Sequence, residues 1–193
     1  MNDWKRRLGF RLACGIENAR LRLFRPRQHH DFFIASAVRD AAPWVERHLE
    51  SVRSQRYDPR RITHLVIDDA STDDSAAVLE SWLARHRPRH GLKLVRNEHH
   101  LGGCANYTTG FRQAPADAIV LQLDGDDWLP DPRLLSYLDM VYHDADVWMT
   151  YNTWARPDGE PALYNRRLPD EVVARNEVRR HPWITSHLHS FRA

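Results

Sequence analysis

AIVLQLDGDDWLPDP, residues 118–132, runs from an apolar strand straight into Asp124, Gly125, Asp126 and Asp127. In an open α/β fold a strand delivers its last residues to the sheet edge where ligands bind. Three carboxylates within four positions repel one another and raise each other's pKa, an arrangement that a cation resolves. Hard oxygen ligands select Mg²⁺ or Mn²⁺. Gly125 permits a tight backbone turn between the first two aspartates, and Trp128, Leu129 and Pro130 close the loop before a helix starting at Asp131 or Pro132. A structural strand-to-helix turn capped by Asp131 would look the same in isolation, so the surrounding chain decides.

Working outward, residues 32–38 (FFIASAV), 62–67, 92–95 and 147–151 are further short apolar runs with the composition of buried strands. Helical patterns occupy 44–55, 76–86, 102–113 and 134–143. Val45, Leu49 and Val52 give the first helix its inward face, and Ser71 or Thr72 is placed to cap the second. Strands alternating with helices predict an α/β fold, a mostly parallel sheet flanked by helices with right-handed crossovers. The second strand also ends in carboxylates, Asp68 and Asp69, and parallel strands put both acidic groups on one edge. Gly102 and Gly103, opening a helix at that edge, let backbone N–H groups approach a phosphate. Carboxylates for a cation beside donors for phosphate describe a nucleotide diphosphate site.

The 193 residues, 42% of them hydrophobic, suffice for one sizeable core. The net charge of +2 is nearly balanced but uneven, because Lys5, Arg6, Arg7, Arg11, Arg20, Arg22, Arg25 and Arg27 outweigh Asp3 and Glu17. Trp4, Leu8, Leu12, Ile16, Ala19 and Leu23 recur at helical steps, so 1–30 reads as a basic amphipathic helix and connector, ended near Pro26. Such a helix either packs on its own domain or lies on an anionic membrane surface. Residues 31–152 form the expected ligand-binding core. Residues 153–193 hold a loop or hairpin over 154–164, a helix over 169–180 and an amphipathic segment over 183–192. Cys14 and Cys104 form no framework, no apolar run approaches the roughly 18 residues of a membrane span, and the N-terminus lacks a signal-peptide core. These features predict a cytoplasmic protein, with the basic helix as a peripheral contact to the inner face of the membrane.

The ordered set FFIASAVRD (32–40), ESVRSQRY (50–57), LVIDDASTDDS (65–75), RNEHHLGGCANYTTGF (96–111) and AIVLQLDGDDWLPD (118–131) resembles family 2 glycosyltransferases of the GT-A fold, over residues 32–151. The resemblance implies an inverting transferase that moves a sugar from a nucleotide-sugar donor, expected to be a UDP-sugar, to a lipid-linked or polysaccharide acceptor. Mn²⁺ or Mg²⁺ is the implied cofactor. Ala37 and Arg39 would border the base, Asp69 would read it and Asp68 would support Asp69. Asp124 and Asp126 match the DxD motif: Asp124 would face the ribose or reach metal through water, and Asp126 would coordinate the ion bridging the diphosphate. Asp127 would support the site or serve as an alternative ligand.

Three departures from the family pattern stand out. Ala37-Val38-Arg39-Asp40 occupies the place of a frequent Pro-x-Tyr-Asn, so the Arg39 guanidinium is expected to replace a stacking tyrosine. Asn106-Tyr107-Thr108 replaces a frequent Ala-Arg-Asn, so a phosphate or sugar contact is expected to be lost. The family's general base follows the fifth strand by many tens of residues, and Asp158, Glu160, Asp170, Glu171 and Glu177 do not match its motif. The catalytic residue is therefore not named, and an acceptor half cut short is the expectation. The alternative function is a nucleotide-sugar-binding protein without independent transferase activity.

Rival readings fail on particular residues. A response-regulator receiver needs a lysine beyond a later strand, and Lys93 is the only lysine after Lys5. A sugar nucleotidyltransferase opens with a Gly-rich loop where this chain has RDAAP, 39–43. An EF-hand needs a glutamate at its twelfth position, which here is Leu135. His187 and His189 lack partners at zinc spacing, and His99 and His100, in the loop before Gly102, read as a solvated loop or as a contact to the diphosphate. The basic N-terminus has no aromatic platform for nucleic acid.

Overall fold

The computed structural model describes residues 29–151, 169–175, 177 and 189–193. The predicted N-terminal helix, the 154–164 loop and His187 lie outside the described residues. Six strands, β1 (Phe32–Val38), β2 (Ile62–Asp68), β3 (Gly91–Arg96), β4 (Ile119–Gln122), β5 (Met149–Tyr151) and β6 (His189–Arg192), make one sheet in the order β3-β2-β1-β4-β6-β5. The helices are α1 (Ala42–Arg53), α2 (Ser75–Arg85), α3 (Gly103–Phe111), α4 (Leu134–Val141) and α5 (Asp170–Ala174), with a 3₁₀ turn at Pro59–Arg61. The mostly parallel α/β expectation is met, and no helix among the described residues is long and apolar enough to cross a membrane.

The central strands are apolar on both faces because helices cover both. Phe32 and Ile34 of β1 pack with Val52 of α1 and with Leu135 and Leu138 of α4. Val38 joins Val45 and Leu49 of α1 and Leu79 and Trp82 of α2. Phe33 and Ala35 point the other way, into a cluster flanked by Tyr107 and Phe111 of α3. Burying each large side chain is worth about 1.5–3 kcal/mol, so this one strand joins three clusters that no local interaction could assemble.

Two expectations change. The sequence reading makes no strand of His189–Arg192, yet β6 inserts antiparallel between β4 and β5, pairing Val120 with Phe191 and Thr150 with Ser190. Its seat is polar as well as apolar: the buried Ser190 hydroxyl bonds Tyr142 Oη at 2.9 Å and Thr150 Oγ1 at 2.5 Å, while Arg192 donates to the carbonyls of Val147 and Tyr142. Neither Ser71 nor Thr72 caps α2, which starts at Ser75 after an Asp74 that makes no side-chain cap bond. Ser71 Oγ donates instead to Asp68, and Thr72 to Asp40.

The approach to β1 is fixed by Asp139 on α4. Its Oδ1 accepts the backbone N–H groups of His29 (3.1 Å) and His30 (3.0 Å), His30 Nδ1 (2.9 Å) and the Tyr57 hydroxyl (2.9 Å). Burial pushes its pKa up, but these donors outweigh burial and hold it below the usual carboxylate range. Asp139→Ala removes the acceptor shared by two part-buried backbone N–H groups and the Tyr57 hydroxyl and should cost about 2–4 kcal/mol, read as a lower urea midpoint.

Candidate functional site

The C-terminal ends of β1, β2 and β4 and the start of α3 enclose a cleft of about 390 Å³. Of the residues singled out in the sequence, Ala37, Arg39, Asp69, Gly103, Asp124 and Asp126 line it. Asp68 is buried behind, accepting the Ser71 N–H and hydroxyl, and Gly102 donates its N–H to Asp69 at 2.9 Å. Cys104 is exposed at the rim.

Gly125 is required for a different reason from the one its sequence context suggests. Its φ is not positive; among the described glycines only Gly102, at 85°, has that geometry. A Cβ on Gly125 would stand 2.6 Å from Val38 Cγ2 and 2.8 Å from the Ala37 carbonyl oxygen, to which the Gly125 N–H already donates at 2.9 Å. Close approach to the end of β1, rather than turn geometry, excludes a side chain. The aspartates on either side thereby flank the β1 terminus.

Asp69 organises the opposite wall. Oδ1 accepts Asn97 Nδ2 and the Leu101 N–H, both at 2.8 Å, Oδ2 accepts the Gly102 N–H at 2.9 Å, and His100 Nδ1 stands 2.7 Å from Oδ2. Burial alone would raise its pKa, yet donation from Leu101, Asn97 and Gly102 holds it far below the usual carboxylate range. Arg39 Nη1 donates to the carbonyls of Asp69 (2.7 Å) and Ala70 (3.1 Å), so its guanidinium braces this wall at the position where a stacking group is expected.

Residues that the sequence reading passes over hold the acidic loop. Tyr107, where the family resemblance suggests a lost contact, donates its hydroxyl to Asp124 Oδ1; burial first, then the Asp124 charge, raises its pKa. Three buried polar side chains, two on α1 and one just past its end, bind loop backbone: His48 Nδ1 donates to the Asp127 carbonyl (2.7 Å), Ser51 Oγ accepts the Leu129 N–H (3.0 Å) and Gln55 Nε2 donates to the Asp131 carbonyl (3.0 Å). Their 48, 51, 55 spacing is a helical stripe, the one signal that could have revealed them. Trp128 stacks near Trp44 at 6.0 Å, with Arg47 3.6 Å over its ring. Behind the loop, His48 Nε2 lies 3.4 Å from His64 Nε2, which meets Ser36 Oγ at 3.0 Å. Desolvation lowers the pKa of both histidines and keeps them neutral.

Among the described residues no cluster of three or more metal-capable side chains exists. Besides Asp69, whose oxygens are engaged by protein donors, two carboxylates, Asp124 and Asp126, line the cleft. That donor set fits a hard divalent ion completed by substrate phosphates, since Mg²⁺ is commonly held by one or two carboxylates plus phosphate oxygens.

The chain belongs to glycosyl transferase family 2, whose model matches residues 34–187. Solved structures similar to it include a mannosyltransferase from Pyrobaculum calidifontis in complex with GDP-Man and Mn²⁺, at 21% identity and TM-score 0.63, covering 91% of this chain and 50% of that one. S. aureus TarS 1-349 in complex with UDP-GlcNAc is similar at 19% identity and TM-score 0.57, covering 72% and 37%. These likenesses establish the GT-A fold, and the chain spans about half the length of the solved mannosyltransferase. No match to a curated protein sequence was found.

Two outcomes follow from the site's packing. Gly125→Ala should lower stability by about 1–3 kcal/mol through overpacking against Val38, and calorimetric melting will show it. The neutral His64 makes stability fall as pH drops below about 6.5, because the unfolded chain then binds a proton that the folded chain excludes. Urea titrations from pH 7.5 to 5 should show a shallower pH slope in His64→Gln, whatever that variant's absolute stability.

Proposed function

We propose that the cleft binds the nucleotide diphosphate of a nucleotide-sugar donor, with a UDP-sugar the first donor to test, and that the whole protein transfers the sugar to a lipid-linked or polysaccharide acceptor. The observation that carries this reading is the convergence of Asp124, Asp126, Asp69 and the N-terminal turn of α3 on one cleft. A helix N-terminus favours phosphate, and paired carboxylates favour a cation. Asp124 and Asp126 would hold Mn²⁺ or Mg²⁺, which when bound neutralises diphosphate charge on the leaving group. Tyr107 orients Asp124 through its hydroxyl, and Gly102 and Gly103 expose backbone at the phosphate end. Ala37, Arg39 and Asp69, with Asp68 behind, form the base end.

Inversion at the sugar carbon needs a general base to take the acceptor hydroxyl proton, and no described residue is assigned that role. Residues 153–193 are proposed as part of the acceptor side and 1–30 as a peripheral contact to the cytoplasmic membrane face. Titration calorimetry with UDP and with GDP, each with and without Mn²⁺, tests the donor reading. Asp126→Ala should weaken metal-dependent UDP binding by about tenfold or more while leaving metal-free binding little changed, a loss of at least about 1.4 kcal/mol. Equal metal-dependent binding in the variant would remove Asp126 from the metal site.

A further inference from the structure

We propose that His64, which does not line the cleft, is a positioning residue for the acidic loop: it donates its Nε2–H to His48 Nε2 and thereby commits the Nδ1–H of His48 to the Asp127 carbonyl. Its consequence for ligand binding rests on the donor reading of the cleft. His64 is mounted in the middle of β2, in register with Ile34 of β1 and Leu92 of β3, whereas His48 stands on α1 and Asp127 in the loop. The chain of contacts therefore ties the loop that carries Asp124 and Asp126 to the interior of the sheet.

Proton count fixes the direction of both bonds. The two rings are completely buried and neutral, and a neutral imidazole has one N–H and one bare nitrogen. A carbonyl oxygen only accepts, so His48 Nδ1, 2.7 Å from the Asp127 carbonyl, carries the proton and His48 Nε2 is bare. Facing that bare atom is His64 Nε2, at 3.4 Å. Were it bare as well, two lone pairs would meet with no proton between them. With the proton on His64 Nε2 the contact is a hydrogen bond, and Ser36 Oγ, at 3.0 Å, accepts a share of it. His64 Nδ1 is left without a partner among the described residues. In this arrangement it is an unpaired acceptor; in the opposite tautomer it would be a buried N–H with no acceptor, the rarer and costlier state. His90 does not alter the count, since its ring lies 6.2 Å from that of His64 and its buried Nε2 has no partner either.

Ring ¹⁵N spectra of the full chain at neutral pH, without ligand, should place the proton on Nδ1 of His48 and on Nε2 of His64. A proton on His64 Nδ1 overturns the proposal, and this measurement on wild type decides even if a variant fails to fold. Binding is read by calorimetric titration of UDP with Mn²⁺ on wild type, on His64→Leu, which removes the donor, and on His64→Gln, whose amide keeps a donor near the Nε2 position. His64→Leu should bind UDP roughly two- to tenfold more weakly, the span of one lost hydrogen bond, and His64→Gln should recover most of that loss. His48→Asn keeps a donor near Nδ1 but offers His64 nothing to act on, so adding His64→Leu to it should change UDP affinity little. An equal loss in both backgrounds overturns the relay and leaves His64 as packing; no loss from His64→Leu alone overturns it too. Without nucleotide, the backbone amide signals of Asp126, Asp127 and Trp128 should shift in His64→Leu and return in His64→Gln. Absence of UDP and GDP binding by wild type, with the tautomers and amide shifts as expected, would refute the donor reading and uphold the positioning role.

Discussion

The close contact between Gly125 and the end of β1 is the constraint on which the cleft depends. The Gly125 N–H bonds the Ala37 carbonyl and its α-carbon leaves no room beside Val38, so the acidic loop leaves β4 pressed against the neighbouring strand. Two aspartates one position either side of that contact share the wall formed by the β1 terminus. From the other flank, His48, Ser51 and Gln55 bind successive backbone groups of the same loop. An unanchored acidic loop would relieve its charge repulsion by spreading into solvent. Here the backbone is held on two sides and the carboxylates cannot separate far.

The loops after β1 and β2 are tied in a similar way, with local strain as the cost. Asp40 and Ala70 have φ of 49° and 55°, a region that aspartate tolerates and alanine rarely enters. Asp40 Oδ1 accepts the Thr72 N–H at 2.7 Å, the Asp40 N–H donates to Ser71 Oγ, and Arg39 caps the Ala70 carbonyl. Each of these bonds crosses between the two loops. The strained residues persist because the partners on both strands over-determine them, and the result is a firmly held wall of the cleft.

What the sequence made legible divides along the range of the interactions. Strands β1, β2 and β4 were readable because both faces are buried and their apolar runs are uninterrupted. Strand β6 was not: HSFR is short and half polar, and its place is decided by Phe191 meeting Phe111 and by Ser190 meeting Tyr142 across the fold. In the site, aspartates and glycines at strand ends announced themselves by type and position, and Asp69, Gly103, Asp124, Gly125 and Asp126 come to one cleft. Tyr107 could not be found that way, since it acquires its role from a carboxylate that only folding brings near. The polar stripe of α1 and the residues just after it was hidden because His48, Ser51 and Gln55 read as a solvent face when only apolar periodicity is counted. Gly125 sits in the expected tight turn, closed by the Asp127 N–H on the Asp124 carbonyl, but the crowding against Val38 that excludes a side chain there was not legible.

The two acidic pairs, alike in sequence, end in opposite electrostatic conditions. Asp69 is buried and surrounded by protein donors, so its charge is stabilised internally and its oxygens are already engaged. Asp124 and Asp126 stand on the cleft lining, where Tyr107 contributes a hydroxyl but no positive charge to Asp124. A neutral donor orients a carboxylate without cancelling its charge, whereas a guanidinium would do both. The replacement of the family's frequent arginine by tyrosine within α3 therefore leaves more negative potential at this end of the cleft. A diphosphate could enter that field only together with compensating positive charge. Under the proposed donor reading, the departure from the family pattern that first reads as a missing phosphate contact would increase the dependence of donor binding on a cation.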